Sequence, residues 1–253
     1  MTAPYNIRFG SGITIGSGIT AGAAGGGGGY TNPTGTPVTL SDPTAVFEMG
    51  AWTSGTTMPD ISGNNNTFTL SNASAGNSQY YNFDGTTYAT ANNSGFPTAG
   101  ATAMTLMGWF ALTNLSGAHT LISRNNGGAG WALRVDSNGS QVNLVKYNDN
   151  DQPISLNTPL TANDWHFISV SQTGTSLVYV IDGTTYTRSG TGGPFVGIIG
   201  GSAVPVRLSY DQYTSGGPVA AQAMREVRIL DNIAYSSSTL TYVWNLTKAA
   251  YGY

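Results

Sequence analysis

Cysteine is absent from this 253-residue chain, which removes disulfides, thiolate metal sites and cysteine nucleophiles together. Charge is scarce. Only 8% of residues are charged, against roughly 25% in an average soluble protein. Two lysines, Lys146 and Lys248, and seven arginines leave a net charge of −3. That is too little positive charge to assemble a phosphate-binding patch, so nucleic acid is excluded as a partner class. There are two glutamates, Glu48 and Glu226, and two histidines, His119 and His166. The histidines lack the HxxxH spacing of a helical zinc site, and no nucleophile-elbow sequence is present for a Ser-His-Asp triad. No run of about 18 apolar residues occurs, so no membrane span is expected. The N-terminus shows no basic segment followed by an apolar one, so no signal peptide is expected.

Glycine (35 residues) and tyrosine (14) are abundant instead, as are Thr, Ser and Asn. That mixture suits short strands joined by tight turns and suits helices badly. The surface must then be covered by Asn, Ser, Thr and Gly, a composition associated with extracellular adhesins and virion proteins.

Residues 1–29 read differently from the rest. The near-repeat Gly10-Ser-Gly-Ile-Thr, Ile15-Gly-Ser-Gly-Ile-Thr places Ile13, Ile15 and Ile19 on one face of an extended strand. Such a strand needs a partner surface, and the run Ala23 to Gly29 reads as a flexible linker. Residues 1–29 are therefore expected to be an assembly arm, and residues 30–253 one domain.

From Val38 onward, more than ten short strands with turn signals predict an all-β sandwich. Met104–Leu112 is apolar on both faces and should be central. Asp182-Gly183 between β-branched and aromatic flanks predicts a two-residue hairpin turn. Leu240, Val243, Trp244 and Thr247 share a face of a single helix near the C-terminus, preceded by serines able to cap it.

Four segments, taken in order, resemble the laminin G-like and pentraxin-like branch of the concanavalin A-like superfamily. They are Asp60-Ile-Ser-Gly-Asn-Asn-Asn-Thr-Phe and Tyr81-Asn-Phe-Asp-Gly-Thr-Thr-Tyr-Ala. The third is Asn163-Asp-Trp-His-Phe-Ile-Ser-Val with Leu177-Val-Tyr-Val-Ile-Asp-Gly, and the last is Arg225-Glu-Val-Arg-Ile-Leu before the helix. The resemblance spans residues 38–250 and departs at Arg225, where the family pattern has Asp. It implies a two-sheet antiparallel jelly-roll sandwich, here with an extended N-terminal arm and a short C-terminal helix. The N-terminal Ile-Thr-Ile-Gly repeat resembles phage structural proteins, particularly head and tail accessory proteins of cyanobacterial viruses.

Glycan-cleaving members of this fold use two close carboxylates. Neither glutamate has another acid within four residues. Asp149 and Asp151 have an i, i+2 spacing, yet they lie in a loop-like segment. No catalytic residue is therefore assigned. Calcium is the one metal the oxygen donors suit, with Asp60 and Asn64 as ligands; the same residues also read as an Asx turn that bonds its own backbone. The loop carrying Asp149 and Asp151 is a second calcium candidate. For glycan stacking, Trp52, Trp131 and Tyr213 sit beside Gly-rich loops, whereas Trp109, Trp165 and Trp244 read as core. The expectation is a non-enzymatic virion accessory protein of a phage head or tail. It is anchored through residues 1–29 to other virion proteins or to copies of itself, present in many copies or as a homo-oligomer. Its location is the virion or the extracellular space. The alternative is a lectin or adhesin acting on cell-surface glycan; a glycan-cleaving enzyme ranks third.

Overall fold

The computed structural model describes residues 44–77, 79–92, 96, 102–126, 130–136, 138–147, 152–189, 204–212, 217–218 and 222–251. Ile13, Ile15 and Ile19, the glycine linker, the strand expected at Val38, the acidic loop 149–151 and Tyr213 lie outside these residues.

In chain order the strands are β1 (Ala45–Glu48), β2 (Thr57–Met58), β3 (Phe68–Leu70), β4 (Tyr81–Phe83), β5 (Ala89–Ala91) and β6 (Ala103–Leu112). They continue as β7 (His119–Asn125), β8 (Gly130–Asp136), β9 (Gln141–Tyr147), β10 (Gln152–Ser155), β11 (Trp165–Thr173) and β12 (Ser176–Ile181). The last are β13 (Thr184–Ser189), β14 (Arg207–Leu208), β15 (Tyr210–Asp211), β16 (Gly217–Pro218) and β17 (Gln222–Asp231), followed by the helix α1 (Ser237–Tyr251). One sheet has the order β1-β17-β6-β11-β12-β13, with β4 also pairing β17; the other has the order β10-β9-β8-β7-β14-β5-β3-β2. The pairings are antiparallel, and β15 and β16 form a separate ribbon. This is the jelly-roll sandwich the strand pattern predicts.

Two apolar layers explain the residue pattern. Phe47, Phe68, Leu106, Phe110, Leu133, Val142, Ile168, Tyr179 and Ile229 come from both sheets and form the inner core. Met107, Trp109, Ala111, Trp165 and Phe167 form a second layer with Leu240 and Val243 of α1. The central strand β6 therefore needs apolar side chains on both faces, which is why its sequence is a continuous apolar run. Trp109 donates its indole N–H to Thr247 Oγ1 (2.8 Å), tying α1 to β6. Ser236 Oγ accepts the backbone N–H of Thr239 and caps α1.

The Asp182-Gly183 turn has φ of 48° and 81°, both left-handed as the hairpin reading requires. A Cβ on Gly183 would also lie 2.5 Å from the Trp244 ring, so glycine is needed there for space as well as for backbone geometry.

Candidate functional site

The outer face of the eight-stranded sheet carries a ladder of polar side chains. Thr57 pairs with Thr69, Thr69 with Thr90, and Thr90 with Arg207, across β2, β3, β5 and β14. Alternation along β14 would send Arg207 outward, Leu208 inward and Tyr210 inward again. Ser209 prevents this. It holds a left-handed φ of 56° and is fully buried, and among the described residues its hydroxyl has no hydrogen-bond partner. The kink turns the Tyr210 ring back to the outer face. There it lies 4.9 Å from the Tyr88 ring, and the Arg207 guanidinium carbon is 4.7 Å from its centroid. The Tyr210 hydroxyl donates to Gln212 Oε1 (3.1 Å). Tyr88, Arg207, Tyr210 and Gln212 are all half-buried. The β15 backbone crosses β7, where Ser123 Oγ donates to Tyr210 O and Thr120 Oγ1 donates to the buried Asp211. The result is a step: an aromatic and cationic wall beside an open hydroxyl-bearing floor. A strained residue whose side chain is orphaned in the interior marks a place held against local preference.

A second feature joins residues that are distant in sequence. Glu48 and Glu226, the chain's two glutamates, both meet Arg228. Glu48 Oε1 accepts Arg228 Nε at 3.0 Å, and Glu226 Oε2 lies 3.5 Å from Arg228 Nη1. All three are buried. The register of β17 against β6 shifts between Arg225 and Arg228, and Glu226 within this bulge has φ 52°. Arg225 lies 5.9 Å from the Trp165 ring and floors a notch lined by Trp52, Tyr80, Tyr81 and Glu226. The notch holds about 10 Å³, room for one water-sized sphere and not for a sugar ring. Buried carboxylates committed to one guanidinium do not present the open pair that glycoside cleavage needs.

The sequence-based site residues fare differently from one another. Trp52 is half-buried at that notch; its indole N–H donates to Gly55 O (3.0 Å), and its ring lies against Gly76 so closely that a Cβ there would come within 2.5 Å. Trp131 is corrected: it is 3% exposed within the inner core, so neither ring face is open for stacking. Asp60 and Asn64, expected as calcium ligands or as an Asx turn, make the hydrogen bonds of the turn. Asp60 Oδ1 accepts the N–H groups of Glu48 and Ser62, and Oδ2 accepts that of Asn66. Asn64 donates its amide to Ala45 O, as Asn66 does to Val46 O. The loop staples itself to β1. Among the described residues no group of three or more His, Asp or Glu is placed to hold a metal ion.

His166 faces away from Trp165 and Phe167, as alternation predicts. Its Nδ1 lies 2.6 Å from Asp182 Oδ2, and its Nε2 accepts the N–H of Thr161 (3.0 Å). Burial pulls its pKa down, but the hydrogen bond and charge of Asp182, the Thr161 backbone and the charge of Asp164 outweigh burial and leave it raised. Asp182 Oδ1 also accepts Phe167 N–H (2.8 Å), so this cluster braces the hairpin. Thr161 Oγ1 meets Asp164 Oδ2 at 2.6 Å, which engages its hydroxyl away from nucleophilic work.

The step on the eight-stranded sheet escapes sequence reasoning. Arg207 and Tyr210 are three apart and alternate to opposite faces unless Ser209 turns left-handed, a conformation serine gives no reason to expect.

With that geometry in place, comparison with known proteins is direct. A laminin G-like family model, described as the concanavalin A-like lectin/glucanases superfamily, matches residues 83–238. No curated protein matches the chain by sequence. Among solved structures, one of botulinum neurotoxin type C, whose cell entry depends upon interaction with two ganglioside molecules, aligns with a TM-score of 0.60 at 13% identity. It covers 81% of this chain and 51% of that one. The binding domain of botulinum neurotoxin DC, in complex with rat synaptotagmin II, gives a TM-score of 0.59 at 14% identity over 81% and 52% of the two chains. Identity this low shows likeness of fold alone, and the chain spans about half the length of these solved chains. The family model covers more than half of the sequence and agrees with the two-sheet jelly roll, and on that ground this chain belongs to the concanavalin A-like lectin/glucanases superfamily.

Proposed function

We propose that this protein is a non-enzymatic binding module: a virion accessory protein of a phage head or tail that displays a lectin-type jelly roll to cell-surface glycan. The observation that carries the binding reading is the half-buried Tyr88–Arg207–Tyr210 step beside the threonine ladder. Rings for stacking, hydroxyls and an amide are what a sugar surface needs, and the step supplies them on one face. The buried Glu48–Arg228–Glu226 cluster supports the absence of turnover, because both acids are buried and pair with one guanidinium. The structural neighbours engage a ganglioside or a protein receptor, which favours a role at a cell surface. The virion setting draws its support from the isoleucine repeat and the low charge of the sequence. A free lectin or adhesin is the second reading, favoured by the same step.

Retention on immobilised polysaccharides, measured together with release of reducing ends, tests this function. Saturable retention without release is the expected result. Hydrolysis abolished by Glu48→Gln or Glu226→Gln would replace the binding module with an enzyme.

A further inference from the structure

The step carries a charge that no carboxylate among the described residues neutralises. Among those residues Arg207 makes one hydrogen bond, from Nη1 to Asn125 O at 3.4 Å, and it stacks on Tyr210. Among the described residues no carboxylate forms an ion pair with it. Arg134 pairs with Asp136, and Arg228 pairs with both glutamates. Two further acids are engaged elsewhere. Asp211 is fully buried and accepts from Thr120 and Asn125. Asp84 is exposed but folds its carboxylate onto the N–H groups of Thr86 and Thr87 and the Thr86 hydroxyl.

In a chain so poor in basic residues, a half-buried guanidinium without an acid is informative. The Tyr210 ring fixes its position, and among the described residues most of its hydrogen-bonding fork stays uncommitted. Such a fork suits a planar carboxylate, which it can bind through two parallel hydrogen bonds. The strained Ser209 backbone is what brings Tyr210 to it.

Resting on the glycan-binding reading, we propose that Tyr88, Arg207, Tyr210 and Gln212 form a subsite for a carboxylate-bearing saccharide. The carboxylate meets Arg207, the sugar ring lies against the tyrosine pair, and its hydroxyls meet Gln212 and Thr90. The ladder from Thr57 to Arg207 crosses four strands, roughly 14 Å at ordinary strand spacing, enough floor for a neighbouring sugar. The chemistry is shared by uronates and by sialylated glycans.

Titration calorimetry of the full chain with oligogalacturonate and with sialyllactose separates the two sources, and neutral galacto-oligosaccharide and lactose serve as references. The acidic ligand should bind about tenfold or more tightly than its neutral counterpart, and added salt should weaken the difference. Arg207→Gln should remove that preference. Arg207→Lys should restore only part of it, because a point charge lacks the fork. Tyr210→Ala should weaken both classes, with unchanged near-ultraviolet circular dichroism showing that the fold is kept. Equal binding of acidic and neutral sugars, or an acidic preference that survives Arg207→Gln, overturns this assignment and leaves the glycan-binding function standing. Failure of all four saccharides to bind overturns both.

Discussion

Asp182 at φ 48° and Gly183 at φ 81° occupy the two left-handed positions of one turn, and both residue types announce that turn in the sequence. Ser209 at φ 56° and Glu226 at φ 52° are equally left-handed but carry no such signal. The binding step and the buried arginine–glutamate cluster hang on these two, so both were illegible before the fold was known. Asp182→Ala should cost about 1–2 kcal/mol from backbone strain. It also loses the bonds to Phe167 N–H and His166. Gly183→Val should cost more, because its side chain meets Trp244; thermal unfolding of both variants checks this, and unchanged melting temperatures would remove the turn from the account. His119 is fully buried, and among the described residues neither ring nitrogen has a hydrogen-bond partner. Burial pushes its pKa down. A depressed base gives stability that is fully present above its ordinary pKa and lost as pH falls below it. His166 is raised, so its contribution is present below its ordinary pKa and fades as pH rises through the folded value. His119→Leu should therefore flatten the fall in melting temperature between about pH 6.5 and pH 5, with His166 unaltered. A melting profile as steep as that of the original chain would show that His119 does not govern it.

At the scale of elements, the legible pieces were those with a single dominant pattern. β6 is apolar on both faces because the inner core and α1 cover opposite sides of it. The face of α1 that carries Leu240, Val243 and Thr247 is buried as its spacing predicts. Trp131 misled because a tryptophan next to glycines looks the same whether β8 turns it outward or into the core. The 60–66 loop was ambiguous in another way. Its Asp, Ser and Asn residues match both an oxygen cage and a self-bonded turn, and the hydrogen bonds from Glu48, Ser62 and Asn66 to Asp60 belong to the turn. A bound ion that stabilises the fold raises the melting temperature by mass action. Chelation with EDTA should therefore shift melting by no more than about 1 °C. A large fall reversed by added calcium would return Asp60 to the role of ligand.

Across the whole molecule, the residues of both apolar layers lie between Ala45 and Leu246 among those described. Residues 1–29 are proposed as an assembly arm. Removing those residues should leave a folded, soluble jelly roll that no longer joins its assembly, which calorimetric melting and co-sedimentation with particles read separately. Unfolding of the truncated chain, or full incorporation without the arm, would end the anchoring proposal. The sandwich was legible because strand period, turn residues and four ordered segments point to one architecture. The proposed binding surface was not, because it is assembled from β5, β14 and β15 at a kink. The most direct measurement is a glycan array probed with the full chain and with the Tyr88→Ala/Tyr210→Ala variant, both confirmed folded. The account predicts saturable binding to a defined set of glycans by the first and loss of that set by the second. Glycan binding unchanged by the double substitution, or no binding by either protein, would contradict it.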